Sequence, residues 1–227
     1  MSTSFNRLPF LVSGATLGLL AVSLCSGAEE TMGKHNVPIR WASSRAGDPS
    51  LAWTNDGKLK LTSSSHAGVS KISIYNKDTD SQRSLNSEGA GPFAWREDSA
   101  LFAAVRHTEN GANQIRFYDP KDGYVVMTSQ LPSEIHNVTE IRWIPFSDNV
   151  VFTAENSQGR DVYFTDAGIV NRISNTHDVL GIRISSDGNQ LTWARSRKLH
   201  QSVPDSVFTL DMNKCTVDLI EVAGKQE

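Results

Sequence analysis

The sequence predicts an all-β protein built from four copies of one antiparallel, four-stranded unit. Three observations predict it. A short anchor-and-turn segment recurs at near-constant spacing. Apolar residues alternate with period two between turn dipeptides. No segment after residue 30 keeps a helical period over three turns.

The repeat is legible in four segments: Ala52-Trp53-Thr54-Asn55-Asp56-Gly57-Lys58-Leu59, Phe93-Ala94-Trp95-Arg96-Glu97-Asp98-Ser99-Ala100-Leu101, Ile141-Arg142-Trp143 leading to Asp148-Asn149-Val150, and Ile182-Arg183-Ile184-Ser185-Ser186-Asp187-Gly188 leading to Leu191. The anchors Trp53, Trp95, Trp143 and Ile184 are spaced by 42, 48 and 41 residues. Each is followed by an acidic turn residue: Asp56, Asp98, Asp148 and Asp187. The third copy reads as carrying a two-residue insertion before Asp148. An apolar strand follows each turn, then a polar loop. Next come alternating strands ending in Asn or Asp, such as Ile72 to Asn76 and Ile115 to Asp119, and a fourth strand.

Four strands in a repeat of this length form a propeller blade, a twisted meander that cannot bury both faces alone. Neighbouring blades must cover each other, so the anchors are expected between blades, as structural residues rather than catalytic ones. The boundaries are a signal peptide over 1–28, a leader and candidate closing strand over 29–45, and blades over 46–223, divided as 46–88, 89–135, 136–176 and 177–223. A short tail covers 224–227. Four blades fit a closed ring, an open arc completed by a second copy, or a propeller whose Val37-Pro38-Ile39-Arg40-Trp41 segment pairs onto the last blade.

The segment from Ala52 to Leu59, with its weaker copies, resembles the TolB-like propeller repeat, a relative of the WD repeat. The resemblance extends over about residues 46–223. It implies a propeller that serves as a protein-interaction platform in the cell envelope. It also implies six blades, often beside another domain. Here four repeats are found, and no peptidase or lyase segment accompanies them.

The N-terminus reads as an address. Arg7 precedes an uncharged apolar stretch from Leu8 to Leu24, and Ser26-Gly27-Ala28 supplies the small residues of a cleavage site. Export to the periplasm or the exterior is expected, with membrane attachment only if the segment stays uncleaved or Cys25 is lipidated. Cleavage after Ala28 would leave Cys215 as the only cysteine, either a buried apolar residue or an unpaired thiol.

Composition narrows the partners. The 227 residues carry 22 Lys+Arg against 25 Asp+Glu, a formal charge of -3. That lacks the basic field nucleic acid requires. A protein partner, including a second copy of the chain, is expected instead. The residues point to no metal, no cofactor and no catalytic group. No nucleophile elbow, zinc-protease helix, phosphate loop or dinucleotide fingerprint occurs.

Two features invite a functional reading. His136 and His177 stand seven residues before their anchors, where the WD-repeat histidine ties a loop to the next strand. A shared metal would be the alternative role. The loops between second and third strands carry His66, Arg106, His107, Arg160, Arg195, Arg197, Lys198 and His200. In a propeller these loops share one face, so they predict a basic binding rim, with Arg106, His107, Arg160, Arg195, Arg197, Lys198 and His200 as its candidates. The alternative function is a hydrolase or lyase on an extracellular polymer, using loop histidines, or a subunit that completes a larger ring.

Overall fold

The computed structural model describes residues 30–31, 52–66, 69–107, 113–196 and 206–221. The described elements are all strands, arranged in four sheets. β1 (Glu30–Thr31) lies ahead of the repeats. The first sheet is β2 (Leu59–His66), β3 (Val69–Asn76) and β4 (Ser81–Glu88), with a bridge between Trp53 and Lys60 in place of a first strand. The second is β5 (Ala90–Trp95), β6 (Phe102–His107), β7 (Asn113–Tyr118) and β8 (Val125–Gln130). The third is β9 (Asn137–Trp143), β10 (Val150–Asn156), β11 (Gly159–Asp166) and β12 (Ile169–Arg172). The fourth is β13 (Val179–Ile184), β14 (Gln190–Arg195), β15 (Ser206–Asp211) and β16 (Thr216–Glu221).

Each sheet is an antiparallel meander in chain order, as a propeller blade requires. Period-two patterning sets the faces. Ile115 and Phe117 on β7 are buried while Gln114 and Arg116 between them are less so. Second strands are apolar on both faces, as in Phe102-Ala103-Ala104-Val105 and Val150-Val151-Phe152, because another blade covers each face.

The core lies between blades. Trp95 packs with Leu61, Ile72 and Leu85 of the first blade. Its indole N–H donates to the Ala52 carbonyl at 3.0 Å, tying blade two to blade one. Trp143 packs with Val105, Ile115 and Phe117 of the second blade, and Phe117 meets its ring edge-on at 5.3 Å. Ile184 packs on the cluster that joins Val151 and Phe164 to Trp193 and Phe208, so it wedges between blades three and four. Trp53 of the first blade is half-buried, edge-on to Tyr75 at 6.2 Å.

The third turn differs from the sequence reading. Trp53 pairs with Lys60, Trp95 with Phe102, Trp143 with Val150 and Ile184 with Leu191. The four turns are therefore equal in length, and there is no insertion. Their backbone bonds also match: Arg96 N–H to Leu101 O and Ser99 N–H to Arg96 O recur as Ile144 N–H to Asn149 O and Ser147 N–H to Ile144 O. In this register Phe146, not Asp148, stands where the other copies place Asp56, Asp98 and Asp187. Those aspartates accept the backbone N–H two residues on, from Lys58, Ala100 and Asn189. In the third turn Ser147 Oγ takes that role for Asn149 N–H. Asp148 is released from turn duty and binds Arg96 of blade two at 2.7 Å.

At the outer edge of the last sheet β1 pairs parallel with β16, Glu30 opposite Val217 and Thr31 opposite Asp218. A leader residue pair thus covers an edge that would otherwise present unpaired backbone groups. The Val37–Trp41 segment expected to close the ring lies outside the described residues. Cys215, in the turn before β16, is disulfide-bonded in the uncleaved chain, whose other cysteine is Cys25; the lone thiol was expected only after cleavage behind Ala28.

Candidate functional site

At the end of the blades where the anchor turns lie, all four repeats line one concavity of about 530 Å³. Blade one contributes Trp53 and Asn55, and blade two Trp95, Arg96 and Glu97. Blade three adds Arg142, Trp143 and Phe146, and blade four Arg183, Ile184 and Ser185. The repeat itself explains the convergence, because each lining set flanks its blade's anchor. A second concavity of about 440 Å³ adjoins it, lined by Arg96, Glu97, Asp98, Phe146, Ser147 and Asp148.

Two guanidinium groups of this mouth, those of Arg96 and Arg142, are held in place by carboxylates. Arg96 reaches Asp98 at 2.8 Å and Asp148 at 2.7 Å, and lies over the Trp143 ring at 5.9 Å. Its hydrogen bonds hold the Asp98 carboxyl below the usual range. Arg142 meets Glu140 at 2.6 Å. Glu140 is buried, and its other oxygen accepts the Ile182 N–H at 3.2 Å, joining the inner strands of blades three and four. Carboxylates thus offset Arg96 and Arg142, and Glu97 and Arg183 line the same concavity. The mouth offers the half-buried Trp53 ring, the exposed Phe146 ring and guanidinium N–H donors, while Trp95 and Trp143 are buried between blades.

The described residues among those that the sequence singled out lie at the other end of the blades. Arg106 at the end of β6 pairs with Glu88 at 2.6 Å. Arg160 at the start of β11 pairs with Glu155 at 2.9 Å, holding the Glu155 carboxyl below its ordinary range. Arg195 at the end of β14 has Nε 3.8 Å from Asp178. The positive charge at these three positions is therefore balanced locally. The side chain of His107, and all of Arg197, Lys198 and His200, lie outside the described residues. The sequence reading missed the mouth, although its signal was present: an arginine beside the anchor in three copies, as Arg96, Arg142 and Arg183.

The two loop histidines divide. His177 gives its backbone N–H to Asp161 Oδ1 at 3.0 Å and places Nδ1 2.9 Å from Oδ2. Its carbonyl accepts the Arg160 N–H at 3.0 Å. It ties the loop to β11, the role the WD-repeat histidine suggests. Asp161 is fully buried and also accepts from Ser174 Oγ, Asn156 Nδ2 and Arg172 Nη2. Burial pushes its pKa up, but the His177 N–H, the Arg172 charge and the Ser174 hydroxyl outweigh it and hold the carboxyl below the ordinary range. Ser174 donates to the aspartate and not to the imidazole, so this trio lacks the connectivity of a nucleophile relay. His136 is exposed, and its N–H donates to the Glu155 carbonyl at 2.8 Å.

The architecture is that of a β-propeller. No family model and no curated relative matches the chain. Solved structures do, and they share its fold. TolB from Acinetobacter baumannii is 17% identical with a TM-score of 0.53, the match covering 77% of this chain and 43% of that one. A putative TolB from Agrobacterium tumefaciens is 17% identical with a TM-score of 0.56, covering 76% and 60%. An oligogalacturonate lyase from Vibrio parahaemolyticus is 12% identical with a TM-score of 0.56, covering 73% and 50%. The fold is thus a TolB-like β-propeller, and the chain spans about half the length of these structures.

Proposed function

We propose that this chain is an exported, non-catalytic binding module that receives a segment of a protein partner at the mouth formed by its four anchor turns. One observation carries the reading: the repeat brings Trp53, Trp95, Trp143, Arg96, Arg142 and Arg183 to a single concavity. Trp and Arg dominate the energetics of protein interfaces, where they sit in desolvated pockets ringed by weaker contacts. Export is supported by the apolar leader with its small-residue cleavage site. The likeness to TolB structures fits an envelope location.

The test is site-specific photocrosslinking of the full chain in its native cells. A photoreactive residue at Asn55 reports the mouth, and one at Gln158 reports the loop face. A protein adduct from position 55, reduced by Arg183→Ser, is the expected result. Adducts from position 158 alone would return the interaction to the loop rim read from the sequence. A self-adduct from position 55 would replace the reading with that of a subunit completing a larger ring. The hydrolase or lyase reading has less support, because the pairing of half-buried His177 with buried Asp161 serves the fold.

A further inference from the structure

Phe146 is the residue at which the third repeat breaks the rule kept by the other three. Asp56, Asp98 and Asp187 stand there in the other copies; in the third turn Ser147 accepts instead, and the left-handed residue moves from the position of Gly57, Ser99 and Gly188 to Phe146. Phe146 has no acceptor to offer the backbone. Its φ is +59, a left-handed conformation that aromatic side chains rarely adopt. It is 85% exposed, more than any other large apolar side chain among the described residues. Neither packing nor hydrogen bonding accounts for it, and such local violations concentrate where function requires them.

The turn that carries it is rigid. The Trp143 indole N–H donates to the Ser147 carbonyl at 2.8 Å. Ser147 Oγ donates to the Ile144 carbonyl at 3.0 Å. Arg96 of blade two holds Asp148. On the other side, a Cβ at Gly188 would lie 2.9 Å from the Pro145 carbonyl, so the fourth blade's turn is pressed against this one. The turn backbone therefore places the exposed ring between the two concavities, both of which it lines. An aromatic side chain has only two χ angles to order on binding.

We propose that Phe146 is the specificity-determining anchor of the mouth, gripping an apolar side chain of an extended, uncharged segment from a protein partner. The inference rests on the binding-module reading. Charge selects the occupant. The offset Arg96 and Arg142 disfavour a polyanion, and their carboxylate partners disfavour a polycation, while guanidinium N–H donors and the exposed Phe146 ring suit a backbone with apolar side chains. The segment's backbone carbonyls would face the guanidinium edges, and its apolar side chain would lie against Phe146.

The test selects phage-displayed random dodecapeptides on the immobilised full chain. A synthetic peptide of the resulting consensus is then titrated by fluorescence anisotropy. The expected consensus is uncharged with one large apolar residue. Its affinity should fall about tenfold or more in Phe146→Ser and be kept in Phe146→Tyr, with the melting temperature of Phe146→Ser no lower than that of the parent. Binding that is indifferent to Phe146→Ser but lost in Arg183→Ser overturns the anchor and leaves the mouth standing. Binding indifferent to both overturns both readings. A charged consensus, or no enriched peptide, overturns the assignment of the ligand.

Discussion

Replacing Asp161 by Ala should destabilise the protein more than any surface change. The carboxylate is fully buried and receives the Ser174 hydroxyl at 3.1 Å, the His177 N–H at 3.0 Å, the His177 ring at 2.9 Å and an Arg172 N–H at 2.5 Å. Removing it leaves those donors facing each other, with Arg172 uncompensated. Each buried donor left without its acceptor costs about 1–3 kcal/mol, which for the His177 and Ser174 donors together gives about 3–5 kcal/mol. For a chain of this size that corresponds to a fall in melting temperature of roughly 6–20 °C. Asp161→Asn keeps an acceptor for the backbone N–H and loses only the charge, so it should fall between the two. Because the folded pKa lies below the unfolded one, the stabilisation from ionised Asp161 is complete above the ordinary carboxylate range. It is lost as pH falls through the depressed folded value. The gap between the parent and Asp161→Asn should therefore be widest near neutrality and narrow in acid. Urea denaturation of both proteins between neutral and acid pH measures it. A loss below about 1 kcal/mol for Asp161→Ala, or a gap that widens in acid, would refute the reasoning.

Three further outcomes follow from the same geometry. Phe146→Asn should raise stability by about 1 kcal/mol, since Asn tolerates left-handed φ and can accept a turn N–H; a destabilised variant would mean the ring packs in the free protein. Gly159→Ala should cost about 2–4 kcal/mol, because φ is +140 and the new Cβ would stand 2.0 Å from the His177 carbonyl, and thermal melts report it directly. A thiol-reactive probe should label Cys215 without prior reduction once cleavage after Ala28 has removed Cys25, the sequence's other cysteine; labelling only after reduction would show that the leader is retained.

The sheets were largely legible because their signals are local. Trp95 and Trp143 needed only their place in the repeat to be assigned between blades, and Ile115 and Phe117 only their alternation. The candidate site was less legible. Its residues were all visible, but Asn55, Arg96, Arg142 and Arg183 look like ordinary polar neighbours of the anchors until the blades are assembled. The loop cations stood out by density, as in Arg195 to His200, and density says nothing about the carboxylates that fold back on them. Glu88 and Glu155 come from strands whose approach to Arg106 and Arg160 is decided by pairing.

By itself, the sequence determined the repeat, its strands and its interblade anchors. Period-two burial and turn chemistry act over a few residues and leave their pattern in order along the chain. Only the tertiary structure decided the register of the third turn, and with it the standing of Phe146. Counting residues from Trp143 to Asp148 suggested an insertion. The pairing of Trp143 with Val150 showed there was none. Register is fixed by hydrogen bonds across strands, and a mouth is fixed by the meeting of four turns far apart in sequence. Neither leaves a mark that can be read one segment at a time.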